Sequence, residues 1–224
     1  MFQTFGWPHV RFLAAALQWT AALAGMALAC GILGGALMVA LRLSPSRPLR
    51  WAAGAVTYVA QGTPLLVQLF LAYFGAAALG LEVPPLAAAA AAFTLWASAF
   101  LGEIWRGAIN SVPRGQREAA LALGLRPSQV MRRVVLPQAV RPAIPPTVGF
   151  LVQLVKNTAI ASIIGFRELT RAGQLVANIT FQPMAVFLVV ALFYFALCYP
   201  LSLAARRLER RLGIQARIAA PLTV

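Results

Sequence analysis

Acidic residues are scarce in this sequence of 224: there are five, against 19 lysines and arginines, and histidine occurs once. His9 has no acid near it in sequence, so it reads as a solvated terminal side chain rather than a catalytic base. Two cysteines, Cys30 and Cys198, lie in apolar stretches with no neighbouring His or Cys. That excludes a metal-ligand spacing and a disulfide framework and leaves both as small core residues. No Gly-x-x-x-x-Gly-Lys-Ser/Thr phosphate loop occurs, so the chain has no ATPase chemistry of its own. Hydrolytic chemistry has no evident home, and no cofactor or metal is expected within this chain. Neither an internal repeat nor a long low-complexity linker divides the sequence, which predicts one helical bundle with short loops.

Apolar residues are abundant: 61% of the chain, with 11% charged and a mean hydropathy of +0.79. A soluble domain carries about 25% charged residues. Residues 12–41, 51–81, 83–102 and 172–205 contain no Asp, Glu, Lys or Arg, and each is long enough for the roughly 20 residues that cross a bilayer. Residues 142–166 match them in length and carry only Lys156 before the end. The expectation is an all-α membrane protein with about five transmembrane helices.

The basic residues fall between these runs in an alternating pattern. Arg42, Arg47 and Arg50 lie between the first and second; Arg106, Arg114, Arg117, Arg126, Arg132, Arg133 and Arg141 between the third and fourth; Arg206, Arg207, Arg210, Arg211 and Arg217 follow the fifth. These are 15 of the 19 basic residues. Only Arg11, Glu82, Arg167, Glu168 and Arg171 flank the opposite ends. Cytosolic loops are enriched in Lys and Arg, which puts the amino terminus outside and the carboxyl terminus in the cytosol. The net charge of +14 therefore reflects topology and contact with anionic lipid, not nucleic-acid binding. The first apolar run is about twice the length of a signal-peptide core and is expected to be retained. The resulting division is an extracytoplasmic segment 1–12, a transmembrane domain 13–209 and a cytosolic tail 210–224.

Gln61-Gly62-Thr63-Pro64 interrupts the second run. Proline there removes a helix hydrogen bond and predicts a break, with Gly62, Thr63 and Pro64 as the hinge. Pro142, Pro145, Pro146 and Gly149 crowd the start of the fourth run, which is expected to face protein rather than lipid. Residues 206–212 space leucines among charges and predict a helix end at the cytosolic interface. Residues 106–141 form the largest expected cytosolic feature. A helix over 115–123 stopped by Gly124, and another opened by Arg126-Pro127-Ser128, predict two short helices at an angle.

Within that loop, Glu118-Ala119-Ala120, three further residues, Gly124, nine residues and then Val134-Val135-Leu136-Pro137 resemble the EAA loop of ATP-binding-cassette importer permeases. That family usually has isoleucine where Val134 stands. Gln61–Gln68, Ser98–Ile104 with Arg106-Gly107, Ser111–Gln116, Leu154–Thr158, Ile163–Gly165 and Glu168-Leu169 resemble its polar amino-acid subfamily. This chain departs in having Gln61 where a basic residue is frequent and Gly102 where alanine is frequent. The resemblance implies a type I importer in a bacterial inner membrane. Its parts are two permease subunits, two cytosolic ATPase subunits that bind ATP and Mg, and an extracytoplasmic amino-acid-binding protein. Glu118, Ala119, Ala120, Gly124, Leu136 and Pro137 are then the ATPase-coupling residues. Glu118 near a helix start would favour the positive dipole end, and Leu136-Pro137 would redirect the chain into the fourth span.

Lys156 needs a separate account, since a mid-bilayer lysine costs roughly 2.5–3.5 kcal/mol on insertion scales. Two readings are open. Lys156 with Asn157, Thr158 and Gln68, which shares its depth, lines the substrate path and meets a substrate carboxylate; or it bonds backbone carbonyls freed by broken helices, or an acid of the second permease. Glu103 and Arg106, three apart on one helix face, read as a structural pair. A self-contained secondary transporter or channel is the alternative function, but it calls for inverted repeats or intramembrane acids, and a passive scaffold would recruit no ATPase.

Overall fold

The computed structural model describes residues 4–211; the expectations for Leu212, Arg217 and the rest of the tail lie outside the described residues. Helix α1, Trp7–Arg42, is followed by α2, Arg47–Gly62. Then comes α3, Leu65–Ala78, which meets α2 at a bend of 106° and contains a π turn at Leu71–Gly75. Helix α4 is Pro85–Asn110 and α5 is Arg114–Ala122. Helix α6 runs over Pro127–Ile164, through a π turn at Met131–Val135 and a final 3-10 stretch at Thr158–Ile164. Helices α7, Leu169–Thr180, and α8, Pro183–Arg211, complete the order. Among the described residues four helices are long and apolar enough to cross a membrane, and the bent α2–α3 pair passes the same test taken together, for up to five candidate spans.

Two boundaries differ from the sequence reading. The run 172–205 is not one span. Phe181 caps α7 in a left-handed conformation at φ 55°, and Pro183 begins a new helix, the intervening Gln182 being disfavoured in the α region because it precedes proline. Helix α7, at 12 residues, is too short to cross. The chain also does not turn at Leu136-Pro137. The Leu136 N–H reaches Met131 O across the π turn, so α6 continues through Pro137, Pro142, Pro145 and Pro146 as one helix of 38 residues. The extra residue of the π turn absorbs the register change that a proline imposes on the helix ladder.

Small residues set the centre of the bundle. Helices α1 and α4 meet along Gly31, Gly34 and Gly35 on one side and Ala97, Ser98, Leu101 and Gly102 on the other. A Cβ on Gly31 would lie 2.6 Å from that of Ala97, and one on Gly102 would lie 2.9 Å from that of Met38. With lipid as apolar as any side chain, such close backbone approach and dispersion, rather than water exclusion, hold two helices together. The lack of a Cβ at Gly102 matches this contact. Trp96, Phe100 and Phe150 then stack between α4 and α6 with ring centroids 4.9 to 5.9 Å apart.

The terminal and cysteine expectations also change. His9 Nδ1 accepts from the Gly6 N–H at 3.2 Å and its ring stacks on Phe5, so it caps α1 instead of standing in solvent. Cys198 is buried but Cys30 is exposed on the outer face of α1.

Candidate functional site

The hairpin between α4 and α6 is rigid. At the end of α5, the Gly124 N–H donates to Leu121 O at 2.9 Å and the Leu125 N–H to Ala120 O at 3.2 Å, the paired bonds of a Schellman cap. Gly124 has φ +79°, a conformation a side chain would strain. Ala120 packs with Ile109, Val112, Val130, Val135 and Ala139 in a small core of its own. Arg117 donates to Ile109 O at 3.1 Å, tying α5 to the end of α4.

That core turns the other face of α5 outward. Glu118 and Ala119 are exposed, and Leu121 and Leu123 are 49% and 82% exposed. A short helix presenting an acid, a small residue and two leucines offers a surface for a second protein. Glu118 lies in the second turn of α5, which begins at Arg114, so the dipole argument made from sequence does not hold; that effect fades after the first turn. Leu136 and Pro137 sit on the lever, α6, rather than on the exposed tip.

Where α1, α2 and α4 converge, Glu103 Oε2 accepts from Arg106 Nη2 at 2.6 Å and Glu103 Oε1 from Arg42 Nη2 at 3.3 Å. The pair expected from spacing is therefore a triad. Arg42 lies over Gly54, where a Cβ would come within 2.5 Å of its Nη1, and 5.9 Å from the centre of the Tyr58 ring.

At the hinge, Thr63 and Pro64 are extended, as expected. Gln68 reaches back from α3 and its Nε2 donates to Ala60 O at 2.7 Å, Thr63 O at 3.1 Å and Thr63 Oγ1 at 3.1 Å. Its amide therefore satisfies carbonyls that the break leaves free.

Lys156 faces a groove of about 540 Å³ between α6 and α8, whose polar lining also includes Tyr194, Tyr199, Ser202 and Arg206. Gln68, Asn157 and Thr158 do not line it; Thr158 is fully buried and donates to Val155 O at 2.7 Å. Among the described residues Lys156 has no carboxylate within ion-pair distance.

Glu168, which the sequence reading placed between the fourth and fifth spans without a role of its own, is the residue whose part it missed. It is fully buried and caps α7, accepting from the Arg171 N–H at 2.7 Å, the Thr170 N–H at 2.8 Å and the Tyr194 hydroxyl at 2.8 Å. Burial pushes its carboxyl above the usual range, and these hydrogen bonds oppose the shift. The next residue, Leu169, donates its N–H to Thr20 Oγ1 of α1 at 3.1 Å. The available signal was an acid directly before a helical run, the position of an N-cap. Among the described residues no three of His, Cys, Asp or Glu converge on a metal position.

Comparison with known proteins bears on the whole chain. Residues 15–214 match the family described as binding-protein-dependent transport system inner membrane component. The L-cystine transport system permease protein TcyB of Bacillus subtilis (strain 168) is 35% identical over 92% of this chain and 87% of its own length. The glutamine transport system permease protein GlnP of Escherichia coli (strain K12) is 34% identical over 93% and 96%. A crystal structure of an amino acid ABC transporter with histidines superposes with a TM-score of 0.86 at 32% identity, covering 90% of this chain and 94% of the other. An inward facing conformation of the MetNI methionine ABC transporter, 22% identical, shares the fold at a TM-score of 0.69 over 91% and 95%. Proteins of this family work within ABC importer complexes, beside ATPase and substrate-binding subunits. An all-helical bundle, an outward-facing hairpin on a continuous lever helix and a family match over most of the length lead to one conclusion: the chain belongs to the binding-protein-dependent transport system inner membrane components, the permease subunits of ABC importers.

Proposed function

We propose that this permease carries a polar amino acid inward across a bacterial inner membrane, as one of two permease subunits driven by two cytosolic ATPases and supplied by an extracytoplasmic binding protein. ATP and Mg belong to the ATPases. The observation that carries the reading is the continuity of α6: one helix of 38 residues joins the hairpin at Gly124 to the groove at Lys156. At about 1.5 Å per residue it spans roughly 57 Å, so a tilt imposed at the hairpin is transmitted to the groove without an intervening loop.

Glu118, Ala119 and the two exposed leucines form the docking face for the ATPase, held by Ala120 and Gly124. Gly62, Thr63 and Pro64, braced by Gln68, form a hinge that lets α3 move against α2. Lys156 meets the substrate carboxylate in the groove. The orientation, amino terminus outside, follows from the arginine distribution, and the secondary-transporter alternative is not favoured for a member of this family.

The test is amino-acid-stimulated ATP hydrolysis by this chain reconstituted in nanodiscs with the ATPase and binding protein encoded beside it. Glu118→Lys is expected to lower stimulation at least about tenfold through one lost contact of roughly 1.4 kcal/mol or more, and hydrolysis indifferent to every polar amino acid refutes the proposal. Lys156→Met is expected to abolish uptake while the ATPase still binds; undiminished uptake removes Lys156 from the path.

A further inference from the structure

We infer that the path through this subunit admits amino acids with neutral or anionic side chains and rejects cationic ones, because its groove carries two cations and no carboxylate. The inference rests on the reading of Lys156 as the residue that meets the substrate.

Five glutamates are all the acids the chain has, and none is free to enter the groove. Glu82 lies between α3 and α4. Glu103 is held by Arg42 and Arg106. Glu118 is exposed on the hairpin. Glu209 follows Arg206 on α8 and is not part of the lining. Glu168 comes nearest through Tyr194, which lines the groove, but its oxygens are turned toward the start of α7. There Oε1 accepts from Arg171 N–H and Oε2 from Thr170 N–H and the Tyr194 hydroxyl.

A substrate α-carboxylate facing Lys156 neutralises one positive charge. Its α-ammonium can rest against the Tyr194 and Tyr199 rings, whose faces attract cations. A second ammonium or guanidinium on the side chain would then stand near Lys156 or Arg206 with no counter-charge, in surroundings where like charges repel more strongly than in water. A side-chain amide or carboxylate instead finds Arg206 as a donor, while the Ser202 hydroxyl, which donates to Cys198 O at 2.9 Å, can accept from an amide. Selection here works by placing a repulsive element against the wrong substrate.

The experiment is equilibrium binding of labelled glutamine, glutamate, cystine, arginine and lysine at pH 7 to the assembled permease–ATPase complex in nanodiscs, without the binding protein. The expected result is that the tightest neutral or acidic ligand binds at least about tenfold better than arginine or lysine. Lys156→Glu is expected to invert that order and Lys156→Gln to bring the two classes within about threefold, the second variant standing if the first does not assemble. Arginine or lysine bound as tightly as the best neutral ligand, or an order unchanged by the Lys156 variants, overturns the inference and leaves the importer reading intact. Binding of none of the five by a complex that still hydrolyses ATP overturns the amino-acid reading and the inference with it.

Discussion

Glu103 and Glu168 lie at different levels of the bundle and are held in opposite ways. Glu103 meets Arg42 of α1, and Leu169, next to Glu168, meets Thr20 of the same helix, about 33 Å away at 1.5 Å per residue. Glu103 is partly exposed and shared by two guanidiniums; Glu168 is fully buried among neutral donors. The first joins α1 to α4 by charge, with geometry that long side chains can readjust. The second joins α7 to α8 by fixed hydrogen bonds, with Leu169 beside it docked on α1. A part-exposed ion pair contributes little net energy because solvent competes for it, whereas a buried acceptor is costly to remove because its donors are left unpaired. Glu103 adjoins the hairpin proposed to dock the ATPases, and Glu168 is fastened where α7 packs against α1 and α8.

This contrast can be broken at its stronger member first. Glu168→Ala orphans two backbone N–H groups and removes one of the two partners of the Tyr194 hydroxyl, which keeps Thr170 Oγ1 at 3.0 Å; it is expected to cost about 3 kcal/mol, read as a lower midpoint when the purified complex is unfolded with increasing SDS. A loss no larger than that at Glu103 would erase the distinction. Glu103→Gln keeps the shape and one acceptor and is expected to cost about 1 kcal/mol or less, with the loss shrinking as salt is raised.

The smallest effect is one of pH. Burial raises the Glu168 pKa above its unfolded value, which lies near about 4.3. The stability tied to this group is therefore complete below the unfolded pKa and is lost as pH rises through the folded one. The midpoint difference between the unsubstituted protein and Glu168→Gln is expected to drift in favour of the variant as pH rises from that range, and a drift the other way would mean that the hydrogen bonds outweigh burial.

Much of the fold was legible along the chain. Uncharged runs located the long helices, Gly62-Thr63-Pro64 located the bend, and Glu118 to Gly124 located the hairpin, since each depends on residues close in sequence. The break at Phe181 was missed because 172–205 satisfies a hydropathy criterion throughout, and one left-handed residue before Pro183 leaves hydropathy unchanged. Leu136-Pro137 misled in the other direction: proline there reads as a turn, yet a π turn one step earlier keeps α6 whole. Glu168 was given no role of its own because an N-cap and a distant tyrosine do not register in a charge count.

Sequence by itself determined that this protein is a multi-span helical bundle with a hairpin of defined spacing, because transfer into lipid and the chemistry of glycine and proline act residue by residue, and the resemblance of that hairpin to a known loop pointed to a permease. Only the tertiary structure decided which charges are engaged and which is not. Glu103 meets Arg42 across 61 positions and Glu168 meets Tyr194 across 26, while Lys156 opens on a groove. Pairing of charges in a bundle depends on which helix faces come together, and packing across the small-residue seam of α1 and α4 sets that.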